Sequence, residues 1–191
     1  MQIARAVTTE DRKLFDEYVD EDAVLTAMHE DASALLADNI AALHERHPYD
    51  WFFRHDTAFM RSYMAEHRAE YIGTARMALD YYFDAERVPV TKEEGNARWG
   101  SDEMRAFAAH YTASMGSAVT EGDRAHAICI VRGDESDYGR LLPEASVTME
   151  LARQTDGRWK LVRISTDTAR TNGFYAIVDA AERYWELQGW D

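Results

Sequence analysis

The chain has 191 residues, 46% of them apolar, with 35 acidic against 21 basic side chains and a formal charge of −14. That balance speaks against nucleic acid and anionic membrane as partners, because phosphate contacts need clustered Lys and Arg. With no Pro-, Gly- or Ser-rich linker, no internal repeat and one cysteine, the sequence excludes a disulfide framework and reads as one domain over residues 1–191.

Twelve of the acidic residues and only four basic ones fall in residues 1–50, a bias that suits the solvated faces of helices. Thr8 to Val19 predicts a short helix with Thr8 or Thr9 as N-cap and Leu14, Phe15, Tyr18 and Val19 on one face. A second helix is expected from about Glu21 to Glu45, capped by Asp20 and ending before His47-Pro48. The run Asp16, Glu17, Asp20, Glu21, Asp22 lacks the glycine and terminal glutamate of a calcium loop, so capping explains it better. The aromatic loop Tyr49-Asp50-Trp51-Phe52-Phe53 leads into a long helix from about Asp56 to Asp84, in which Gly73 is the weak point. Residues 87–100, with Pro89, Gly95 and Gly100, read as loop, and Ser101 opens a helix bearing Met104, Phe107 and Tyr111.

After Gly116 the apolar period changes from helical to extended, giving three or four antiparallel strands over about 116–166. Cys129, between Ile128 and Ile130, reads as an inert buried thiol. Asp156-Gly157 predicts a two-residue type I′ hairpin that sets Leu151 opposite Val162 and Met149 opposite Ile164. One hairpin face is then apolar, and the other carries Glu150 beside Arg163 and Gln154 beside Trp159. A closing helix is expected over about 170–188. Helices first, then a contiguous sheet, then one helix is the pattern of an α+β fold: N-terminal helices on a curved antiparallel sheet of three to four strands, closed by a C-terminal helix.

The segment Asp156-Gly157-Arg158-Trp159-Lys160-Leu161-Val162-Arg163-Ile164 after a helical half resembles the cone-shaped fold of the nuclear transport factor two and SnoaL superfamily. The opening, Ala6-Val7, then Asp11, Phe15 and Tyr18-Val19-Asp20, resembles bacterial families of unknown function within it. The resemblance implies a cone with an internal cavity. No catalytic set of the superfamily maps onto this sequence, so no catalytic residue is carried over. Many members of those families resemble exported or anchored proteins. The chain as written reads as soluble and cytoplasmic, without membrane insertion, and the alternative is an extracytoplasmic protein whose signal or anchor is absent from the sequence.

His44, His47, His55 and His67 lie close in sequence but match no zinc spacing, so no metal and no cofactor is expected. Tyr63, His67 and Tyr71, four apart on the long helix, and Glu150, Trp159 and Arg163 on the mixed sheet face are the candidates for one pocket, which would take a small apolar or anionic ligand. Trp51, Phe52, Phe53 and Trp190 are the candidates for a homodimer or protein-partner surface. The leading expectation is a non-catalytic ligand-binding or accessory domain. The alternatives are a cofactor-free isomerase or dehydratase using acid–base groups such as His67 in the cone, and a dimerisation or assembly module.

Overall fold

The computed structural model describes residues 2–165 and 170–189. Of the helix expected over Thr8–Val19, α2 (Arg12–Tyr18) is present, and a separate unexpected helix, α1 (Gln2–Thr8), precedes it. Glu10 takes φ +52°, in the left-handed region, which ends α1. Asp11, not Thr8 or Thr9, then caps α2 by accepting the Leu14 N–H at 2.9 Å. The two threonine hydroxyls instead donate back to the Ala4 and Arg5 carbonyls at the end of α1. Helix α3 (Glu21–Arg46) begins as the sequence implies, with Asp20 accepting the Ala23 N–H at 3.1 Å.

The expected long helix is divided into α4 (Thr57–Glu66) and α5 (Arg68–Phe83), after a 3₁₀ turn at Phe52–Arg54. The break falls at His67, while Gly73 lies inside an unbroken α5. The cause is local: the His67 ring donates from Nδ1 to the Tyr63 carbonyl at 2.9 Å, drawing on an oxygen the helix ladder also uses. Helix α6 (Lys92–Ala108) begins about ten residues before the expected start. Thr91 and Glu94 form a capping box, with the Glu94 N–H donating to Thr91 Oγ1 at 3.1 Å and the Thr91 N–H to Glu94 Oε2 at 3.2 Å. Gly95 and Gly100 face open space inside this helix and do not interrupt it.

Four strands, β1 (Tyr111–Glu121), β2 (Arg124–Gly133), β3 (Glu144–Arg153) and β4 (Trp159–Ser165), form an open antiparallel sheet in the order β1-β2-β3-β4. Tyr111, expected on a helix, opens β1 instead. The β3–β4 turn differs from the expected two-residue loop. The Gly157 N–H donates to the Gln154 carbonyl and Gly157 takes φ +84°, which makes a three-residue Thr155-Asp156-Gly157 loop. Arg153 therefore faces Trp159 and Leu151 faces Leu161, rather than Val162. A β-bulge at the Glu150/Leu151 step then inserts one extra residue on β4, and beyond it Glu150 faces Arg163 and Met149 faces Ile164, as the sequence implies. The added loop residue and the bulge cancel. Leu161 and Ile164, three apart, can both reach the core only because the bulge restores the alternation.

On the core face, Ala127, Cys129, Met149 and Leu161 pack against Ala6, Phe15, Val19 and Val24 of the first three helices and their junctions. Burial pushes the Cys129 thiol up. The β4 edge is closed by the chain itself: Val19 bridges Leu161 in parallel and the Asp20 N–H donates to the Leu161 carbonyl at 2.9 Å. A second cluster joins α3 and α4 through Ile40, Leu43, Phe53 and Met60. Helix α7 (Arg170–Leu187) ties the ends together. It meets α3 through Tyr175, whose hydroxyl donates to Asn39, and it meets the β2–β3 loop through Ala180 and Tyr184 beside Leu141.

Candidate functional site

Helix α4 opens under Asp56, which accepts the Phe59 N–H at 2.8 Å, and it buries Met60 and Met64, Met60 against α3 and the 3₁₀ turn. The positions one residue back, His55, Phe59 and Tyr63, with His67 beyond, recur at four and form a stacked row on the outer side. Ring centroids are 3.9 Å apart for His55 and Phe59, 5.8 Å for Phe59 and Tyr63, and 4.2 Å for Tyr63 and His67. Phe52 meets Tyr63 edge-on at 5.8 Å, and Trp51 meets both Phe52 and His55 edge-on. Trp51 is 69% exposed and Phe59 43% exposed. The structure thus brings two of the interface candidates, Trp51 and Phe52, together with two of the pocket candidates, Tyr63 and His67, in a single aromatic stripe. Phe53 turns inward and is buried beside Leu43 and Met60, and Trp190 lies outside the described residues.

Tyr71 continues the spacing on α5, exposed and 6.2 Å from the His29 ring. Partial burial, and then a hydrogen bond with Tyr63, push its phenol up to about 12. Both His29 ring nitrogens are buried without a hydrogen-bond partner among the described residues.

The sheet candidates gather elsewhere. Arg163 binds Asp31 of α3 through Nη2, with Glu150 Oε1 3.9 Å from its Nε. His29 and Asp31 are two apart, roughly 200° around a helix, so α3 meets Tyr71 and Arg163 on different sides. Trp159 is half-buried at the far end of β4, opposite Arg153.

The Arg163 cluster is only partly solvated, with side-chain exposures of 32% for Arg163 and 25% for Asp31. Arg163→Met keeps the stem's packing but leaves Asp31 unpaired, and is expected to lower stability by about 2 kcal/mol in urea denaturation. Partial exposure holds the loss below that of a fully buried pair. A loss under about 0.5 kcal/mol would show that water already solvates the carboxylate.

An open groove of about 500 Å³ lies between α2 and the β3–β4 hairpin, lined by Arg12, Lys13, Asp16, Glu17, Arg158 and Lys160. Its cations are mostly engaged. Arg12 pairs with Asp16 at 2.9 Å, Glu21 at 2.6 Å and Asp80 at 3.1 Å. Arg158 pairs with Asp156 at 2.7 Å, and Lys160 donates to the Asp16 carbonyl at 2.7 Å.

Sequence reading missed a third cluster, His110, Asp134 and Ser136, where the β2–β3 loop begins. Hydrogen bonds from Ser136, and then from His110, hold the Asp134 carboxyl down at about 2. The residue types suggest nucleophilic catalysis, but the geometry does not. Asp134 Oδ2 at 2.9 Å and Ser136 Oγ at 3.0 Å both approach the same ring nitrogen, Nδ1, whereas a triad needs the carboxylate and the hydroxyl on opposite nitrogens. The cluster is an Asx turn, with the Ser136 N–H donating to Asp134 Oδ1 at 2.9 Å. The Asp-x-Ser spacing after Gly133 could have signalled that turn.

His47 approaches Asp179 at 3.0 Å and Glu182 at 4.0 Å, both on α7. Among the described residues no three potential metal ligands converge, and no helix is long and apolar enough to cross a membrane. Comparison with known protein families, curated proteins and solved structures returns no match.

Proposed function

We propose that this chain is a non-catalytic accessory domain that binds another protein through the aromatic stripe Trp51, Phe52, His55, Phe59, Tyr63 and His67. The supporting observation is the exposure of Phe59 within the stacked row and of Trp51 edge-on at its end, the other members of the stripe being half-buried. Large aromatic side chains exposed together carry a solvation cost that a partner would relieve, and Trp and Tyr are the side chains that dominate binding energy at protein interfaces. Stacking also fixes their rotamers in advance, which lowers the entropy lost on docking. The likeness of the Asp156–Ile164 hairpin to the nuclear transport factor two and SnoaL superfamily belongs to the same proposal.

The test is affinity capture from the cells that make the chain, comparing wild type with Trp51→Ala/Phe59→Ala. Met60 and Met64 hold α4 in place, so the variant should keep its helical circular dichroism. The expected result is at least a tenfold loss of the proteins captured by wild type, about 1.4 kcal/mol or more. Capture of the same proteins at unchanged abundance would refute the reading.

A further inference from the structure

The two edges of the sheet are treated differently. The β4 edge is covered by Val19, Asp20 and α3, but β1 has β2 on one side and no strand on the other among the described residues. From Thr112 to Glu121 every residue of β1 is exposed on both faces. Its core-side residues Ala113 and Met115 stand opposite Val131 and Cys129, so they extend the core face past the helices that cover it. Met115 is 42% exposed and Val119 57%.

An edge of this kind is usually protected by lysine, proline, inward charge or a bulge. Here only the bulge is present, between Met115 and Ala118, and Tyr111 to Thr120 carries no charged residue and no proline.

We propose that β1 is a self-pairing edge: two copies of the chain join β1 to β1, antiparallel about a two-fold axis near Gly116 and Ser117, into one continuous eight-stranded sheet. Charge favours a second copy at this place. Two chains of −14 repel over most of their surface, yet this strand brings no like charges together. Of the charged groups that flank it, Arg124 stands opposite Glu121 in the register, Arg132 pairs with Glu144 at 2.8 Å, and His110 lies 2.9 Å from Asp134, while Asp123 sits in the turn beyond the strand. Size agrees. Eleven residues of strand span about 36 Å, and pairing along that length buries on the order of 1,000 Å² over both copies, the lower limit for a specific interface. The two-fold axis places Thr112–Met115 of one copy against Ala118–Glu121 of the other, so the bulges fall at the centre and the paired stretches lie on either side of them.

This inference uses a different surface from the aromatic stripe, and its test separates the two. Light scattering after size exclusion at about 100 µM, a concentration suited to a micromolar interface, should give twice the 21.9 kDa chain mass for wild type. Met115→Lys/Val119→Lys places lysines on exposed positions of the edge and lowers the net negative charge, so any loss of the dimer comes from the strand and not from added repulsion between acidic chains. That variant should run at 21.9 kDa with unchanged circular dichroism, while Trp51→Ala/Phe59→Ala should remain dimeric. A wild type of 21.9 kDa at that concentration, or a dimer that survives the lysines, overturns the proposal. A dimer lost only in the Trp51/Phe59 variant assigns self-association to the stripe and overturns it as well.

Discussion

Tyr81→Ala is expected to lower stability by about 4 kcal/mol, and the melting temperature by roughly 8–16 °C. Tyr81 is 0% exposed and packs with Ala78 and Ala97 where α5 meets α6. The guanidinium of Arg87 lies 4.9 Å from its ring and that of Arg98 5.9 Å, so truncation removes two cation–π contacts and opens a cavity at once. Tyr81→Phe separates ring from hydroxyl. The hydroxyl has no hydrogen-bond partner among the described residues, so its removal should leave stability within about 1 kcal/mol of wild type, on the stabilising side. Thermal denaturation of both variants checks the account. A phenylalanine variant less stable than wild type by more than about 1 kcal/mol would refute the account of an unpartnered hydroxyl.

Gly133→Ala should cost about 3 kcal/mol or more and lower the melting temperature by roughly 6–12 °C. A methyl group on Gly133 would stand 1.9 Å from the Gly139 carbonyl oxygen and 2.6 Å from its carbon. The obstacle is backbone, and backbone cannot rotate aside as a side chain can. The crossing is tight in both directions, since a methyl on Gly139 would lie 2.4 Å from the Asp134 nitrogen. The loop that would have to move carries Tyr138 and buried Leu141 against Ala180 and Tyr184, so displacement would also loosen α7. Differential scanning calorimetry with circular dichroism measures the loss, and a shift of under about 2 °C would show that the loop yields freely.

The sequence announces features that depend on near neighbours. The Asp20 cap, the α3 boundaries and the antiparallel strands are legible, because each follows from spacing or turn chemistry within a few residues; Glu150 faces Arg163 as expected only because the longer turn and the bulge offset each other. Thr91 and Glu94 carry an equally local signal, but Gly95 and Gly100 make the segment resemble a loop, although both glycines face open space inside the helix. The bulge on β4 is hidden because Val162 is as apolar as Leu161 and alternation alone cannot say which of them turns inward. Asp31 is 132 residues from Arg163, so no local pattern could pair them. The fourfold spacing of Tyr63, His67 and Tyr71 was visible. Phe59 and His55 continue the same spacing, but the contact of His55 with Trp51 depends on how the 3₁₀ turn folds back, which spacing does not encode.

The closure of the β4 edge sets an order of events during synthesis. Lys160 binds the Asp16 carbonyl across 144 residues, in the same region where Val19 and Asp20 cap Leu161. At translation rates of about 5–20 residues per second, α1, α2 and the start of α3 leave the ribosome roughly 7–30 s before the strand they cover exists. Phe15, Val19 and Val24 lack their complete sheet for that interval. The nascent chain is then most exposed to chaperones and to premature association, and the last strand made is the one that ends the exposure.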